Sequence, residues 1–124
     1  MINKIYYYKL VRDKIPDIIK KSGGLAKFRK LTSGQFEKEL LKKVGEESSA
    51  LPRVKSKKEL IDELADVVEV ISEIKKFKKI TEKQIKAARK TNMDKKGGFK
   101  KKLYLVWSED TGYRTNERKY SKNQ

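Results

Sequence analysis

Apolar positions recur at helical spacing through the middle of the chain and alternate with polar ones in two short flanking segments. Residues 12–22 (RDKIPDIIKKS) read as a short helix, with Asp13 as its N-cap and Gly23-Gly24 as its stop. KFRKLT at 27–32 alternates as a short strand does. Ser33 then opens a helical pattern that runs to Leu51 and is broken by Pro52. Ser56, with Glu59 three residues on, forms a capping box ahead of a second long helix ending near Phe77. Thr81 opens another helix by the same logic, ending near Met93 and followed by Gly97-Gly98. KLYLVW at 102–107 reads as a strand, and SEDTGYRTNERKYSKNQ as a polar end. The predicted class is therefore mostly α, with a small two-stranded sheet pairing 27–32 with 102–107. Residues 1–107 form the predicted domain and 108–124 a basic polar C-terminal tail.

The two long helices carry acids at unusual places. With Glu63 set to zero on a helical wheel, Leu60, Leu64, Val67, Val68, Ile71 and Ile74 fall between roughly 20° and 140°. That is one continuous apolar stripe. Glu59, Asp62, Asp66, Glu69 and Glu73 fall between roughly −40° and −120°. Glu63 stands on the border, with Asp66 one turn along. On the preceding helix, with Phe36 at zero, Leu40, Leu41, Val44 and Leu51 span roughly 40° to 140° and Glu47 lies near 20°. Packed antiparallel through these faces, the helices would bring Glu47, Glu63 and Asp66 together. Carboxylates that close repel unless they are protonated or bridged by a cation, and Mg²⁺ suits such oxygen ligands. The outer acids Glu59, Asp62, Glu69 and Glu73 read as a solvated face paired with nearby lysines.

Composition narrows the chemistry further. The chain has 124 residues, enough for one domain, and contains neither Cys nor His. Disulfides, thiolate nucleophiles, imidazole catalysis and imidazole or thiolate metal sites are thereby excluded. Hydrolytic chemistry must rest on carboxylates, Lys, Tyr, Ser/Thr or a metal held by oxygen. No stretch is apolar enough to span a membrane and the N-terminus lacks a secretory h-region, so a cytoplasmic protein is expected. The formal charge of +16 favours anionic partners. Lys9, Arg12 and Lys14 flank the start of the first helix, and Arg89, Asn92, Lys95 and Lys96 precede Gly97-Gly98-Phe99. Both groups are compatible with phosphate. With 40% charged residues there is little area to bury, and the apolar stripes are expected to mediate self-association.

KLVRDKIPDIIKKSG at 9–23, EESSAL at 46–51, ELADVVEVI at 63–71 and KKGGF at 95–99 together resemble the all-α NTP pyrophosphatase superfamily. Within it they are most similar to small MazG-like and phosphoribosyl-ATP pyrophosphohydrolase-like proteins. The resemblance covers residues 5 to about 106 and rests on the order and spacing of the four motifs. It implies an all-α helical bundle and Mg²⁺-dependent cleavage of nucleoside triphosphates between the α and β phosphates. The products are a monophosphate and pyrophosphate, and many relatives act on non-standard nucleotides. Assembly as dimers or tetramers is implied as well. By this resemblance Glu47 is the first acid of an ExxE motif, Glu63 and Asp66 are an ExxD pair, and Glu46 is an accompanying acid. Glu47 is the candidate to orient or deprotonate the attacking water. Lys9, Arg12, Asp13, Lys14, Arg89, Asn92, Lys96, Gly97 and Gly98 are the candidate substrate contacts. The second acid of ExxE would fall at position 50, where this chain has Ala50.

Two other readings stand beside this one. A nucleotide-binding or sequestering protein without catalysis accommodates Ala50. A nucleic-acid-binding protein accommodates the charge and the interleaving of Tyr104, Trp107, Tyr113 and Tyr120 with Lys and Arg. For Tyr104 and Trp107 the preferred expectation is a strand with one face on the core.

Overall fold

Local hydrogen bonding sets the boundaries of each helix. In the computed structural model, which describes residues 3–112, the order is α1 (Ile15–Lys21), α2 (Ser33–Ser48), α3 (Lys57–Lys78) and α4 (Glu82–Lys96). A 3-10 turn, Leu51–Arg53, lies between α2 and α3. The chain divides into two units, Met1–Ala88 and Arg89–Gln124. The first holds α1 to α3.

Lys14, not Asp13, is the cap residue of α1, and Pro16 sits in its first turn where a missing N–H costs little. The helix ends at Gly23, whose φ of +79° lets its N–H and that of Gly24 turn back to Lys20 and Ile19. Thr32 caps α2. Its hydroxyl accepts from the Gln35 N–H at 3.2 Å, while the Gln35 side chain accepts from the Thr32 N–H at 3.1 Å. This reciprocal box starts α2 at Ser33. Ser56 caps α3 by accepting from the Glu59 N–H at 3.1 Å, while the Glu59 carboxylate accepts from the Lys55 N–H at 2.9 Å. Such a cap stabilises a helix by about 1 kcal/mol. At the far end of α3 the N–H of Ile80 reaches Lys75 and that of Lys79 reaches Lys76, a Schellman closure with Lys79 left-handed at φ +56°. Thr81 and Gln84 repeat the capping box at the start of α4.

α2 and α3 pack antiparallel. Phe36, near the start of α2, meets Phe77, near the end of α3, edge to face at 5.2 Å. Glu37 and Lys78 pair at the same end. Between the helices Leu40 and Val70 are 4% and 9% exposed, and they are the buried hydrophobic residues among those described. Each contributes about 1.5–3 kcal/mol on burial. The buried face of α3 is displaced from the predicted stripe. Val70 lies near −20° on the same wheel, and Glu63, Asp66, Val67 and Ile74 are half-buried around it. Leu60, Leu64, Val68 and Ile71, the far half of the stripe, are exposed in the single chain.

The expected sheet is absent: no strand occurs among the described residues, and both 27–32 and 102–107 lack regular structure. Two local causes are visible. Lys102 sits at φ +56°, after a turn in which its N–H donates to Phe99, and a left-handed residue cannot open a strand. A two-stranded ribbon also needs an apolar face covered by something else. Tyr104 and Trp107 are instead 89% and 78% exposed, so they do not pack as a strand face on a core. Tyr113, Tyr120 and the rest of the tail from 113 lie outside the described residues. Among the described residues, no helix is long and apolar enough to cross a membrane.

Candidate metal centre

The end of the α2–α3 hairpin opposite the phenylalanine pair is acidic. Glu47, the penultimate residue of α2, faces Glu63 and Asp66 of α3 across the helix interface. One carboxylate oxygen from each of the three lies within 4.8 Å of the others. All three side chains are half-buried. The spacing of Glu63 and Asp66 puts them on adjacent turns of one face, and the antiparallel pairing brings Glu47 to the same level.

Cations of the chain attend this cluster. The Arg12 guanidinium, just ahead of α1, donates to Asp66 Oδ1 at 2.9 Å. Lys43, one turn before Glu47, places its ammonium 3.2 Å from Glu46 and 3.4 Å from Glu47. Glu46 thus faces Lys43 and stands outside the group of three. Glu63 has no ion-pair partner among the described residues. The Arg12–Asp66 pair is largely open to solvent and is a weak tie. Lys43 is different, for only 14% of its side chain is exposed.

The donor set fits a hard divalent cation. Oxygens sharing one Mg²⁺ at about 2.1 Å stand at most about 4.2 Å apart, and those sharing Ca²⁺ at about 2.4 Å at most about 4.8 Å. Carboxylate oxygens within 4.8 Å of one another need only small side-chain rotations to meet either limit. Carboxylates without nitrogen or sulfur suit Mg²⁺, Mn²⁺ or Ca²⁺ and disfavour soft metals. Ala50 follows α2, at the entry to the 3-10 turn, and offers no oxygen.

The other predicted contacts are distributed over the two units. In the first, Lys9 lies over the Tyr7 ring at 5.5 Å, Asp13 is exposed, and Lys14 accepts the Ile18 N–H through its carbonyl. With Pro16 in the first turn and seven residues in all, α1 presents little anion-binding terminus. In the second unit, Arg89, Asn92 and Lys96 are exposed on α4, which ends as Gly97 turns at φ +78° and donates its N–H to Met93. A side chain at Gly98 would meet the Met93 sulfur at 3.5 Å, an ordinary contact. Lys43 is absent from the sequence reading. Its spacing to Glu46 and Glu47, three and four residues, together with its place near −20°, beside Glu47 near 20°, is the pattern that marks it. No family model, curated protein or solved structure matches the chain.

Proposed function

We propose that the chain is a Mg²⁺-dependent nucleoside triphosphate pyrophosphohydrolase, cleaving between the α and β phosphates, with non-standard nucleotides as its substrate class. The observation that supports this most is the convergence of Glu47, Glu63 and Asp66 from two helices, with Arg12 bound to one of them. Three carboxylates and an adjacent guanidinium suit a triphosphate bound with its counter-ion. Glu47, Glu63 and Asp66 are the residues that would hold Mg²⁺, and Glu46 stands beside them. When bound, Mg²⁺ would supply neutralisation of phosphate charge and Lewis acidity. Glu47 is assigned to orient the attacking water and accept its proton. Arg12 and Lys14 neutralise charge growing on the phosphate oxygens. Lys9 and Asp13 belong to the same segment.

Ala50 favours a second reading, a nucleotide-binding protein that sequesters without cleaving. Pyrophosphate release from a panel of nucleoside triphosphates with Mg²⁺, comparing this chain with Ala50→Glu, separates them. Release by the unmodified chain supports the enzyme, and release only by Ala50→Glu indicates a scaffold disabled at one ligand. Saturable Mg²⁺-linked nucleotide binding with no release by either supports sequestration. Absence of nucleotide binding refutes both and leaves the exposed Tyr104 and Trp107, in a chain of +16, to a nucleic-acid role.

The reading includes a homodimer or homotetramer. Leu41 of α2 and Leu60, Ile61, Leu64, Val68 and Ile71 of α3 are exposed in the single chain, an apolar group of the kind that marks an interaction surface. A four-helix bundle of two chains would cover it. Sedimentation equilibrium at micromolar concentration is expected to give at least twice the chain mass, and a single-chain mass refutes the assembly.

A further inference from the structure

We propose that Lys43 is the resident cation of the acidic site: its ammonium occupies the charge a second metal ion would carry, so the site takes one divalent cation per chain. The inference rests on the reading of Glu47, Glu63 and Asp66 as metal ligands, though not on catalysis.

Its basis is the placement of Lys43 on the covered face of α2. Lysine heads seldom give up solvent, yet here the side chain is 14% exposed and its ammonium lies 3.2 and 3.4 Å from two carboxylates. Glu47 has two oxygens. One can face Lys43 while the other faces the metal, which makes Lys43 a positioning residue for Glu47 as well as a competitor for its charge.

The charge balance points the same way. Glu46, Glu47, Glu63 and Asp66 carry four formal negative charges, and Lys43 and Arg12 return two positive ones. The remaining two are what one divalent cation cancels. A second ion on the α2 side would stand against a tethered ammonium, and Ala50 gives it no oxygen there.

Mn²⁺ titration followed by electron paramagnetic resonance tests this on the full chain, on Lys43→Met and Lys43→Gln, and on the charge-keeping Lys43→Arg. The unmodified chain is expected to bind one Mn²⁺ per chain. The two neutral variants should bind it about tenfold more tightly, since a unit charge about 6 Å from a divalent ion shifts affinity by that order even in water. Lys43→Arg should stay within about twofold of the unmodified chain. Two ions bound by the unmodified chain, or equal affinity in the neutral variants, overturns the role of Lys43 while leaving the metal site standing. Loss of helical circular dichroism in both neutral variants makes Lys43 a structural clamp and overturns it too. Mn²⁺ bound by none of the four proteins overturns the metal reading itself.

Discussion

The two ends of the α2–α3 hairpin are built on opposite principles. At one end Phe36 meets Phe77, with Leu40 and Val70 buried behind them, and every contact favours the folded state. At the other, Glu47, Glu63 and Asp66 are held within 4.8 Å, and only Lys43 and Arg12 relieve the repulsion. The same two helices span both ends, so packing at the apolar end holds the acids together. A cluster opposed by its own electrostatics and kept by packing elsewhere is what a preformed cation site requires. On the proposed reading of the acids as a cation site, stability and function are separated along one helix pair.

Substitutions at the two ends should accordingly act with opposite sign. The largest effect belongs to Leu40→Ala, expected to cost about 2–5 kcal/mol, as truncation of a buried leucine does. Chemical denaturation followed by circular dichroism reads it, and a cost below about 1 kcal/mol would show that the hairpin does not depend on this contact. Next is the ring pair. A double-mutant cycle of Phe36→Leu and Phe77→Leu should return a coupling of about 0.5–1.5 kcal/mol. Ser56→Ala should remove about 1 kcal/mol by taking away the cap of α3, and Ser56→Asp should restore it. Smallest, and reversed in sign, is Glu63→Gln without metal. Relieving one like-charge contact about 5 Å away in water-like surroundings should stabilise the chain by about 0.5–1 kcal/mol.

Much of this arrangement is legible in the residues. Ser56 and Thr81 announce their helices because a side-chain cap is a local interaction, complete within four residues. Thr32 does the same through Gln35, and α2 opens at Ser33 as its pattern predicts. The convergence of Glu47, Glu63 and Asp66 follows from helical geometry once antiparallel packing is assumed. The buried face of α3 does not follow. Averaging hydrophobicity places it over Leu64, Val68 and Ile71, whereas the single chain packs Val70 inward and draws Glu63 and Asp66 with it. Lys43 and Arg12, which pair with acids of this end, come from another helix and another segment, and no periodicity of α3 encodes them. The strand expectation fails for a related reason. Alternation in KLYLVW states a preference, but a strand exists only through a partner, and Lys102 turns the backbone away at its first residue.

The exposed half of the α3 stripe belongs to the same comparison. Leu60, Leu64, Val68 and Ile71 flank the acidic end as well as the apolar one. Covering them in an assembly would lower the local dielectric around Glu63 and strengthen its attraction for a cation. Metal affinity is therefore expected to rise with protein concentration through the range in which sedimentation shows assembly. An affinity unchanged across that range would place the metal centre wholly within one chain.

The most direct test of the central claim, that the acidic end is a divalent-cation site held together by the apolar end, is the melting temperature with Mg²⁺ and after chelation. The account predicts that Mg²⁺ raises it in the unmodified chain and leaves Glu63→Gln unmoved, while Glu63→Gln melts higher than the unmodified chain once metal is removed. An equal Mg²⁺ response in both proteins, or none in either, contradicts it.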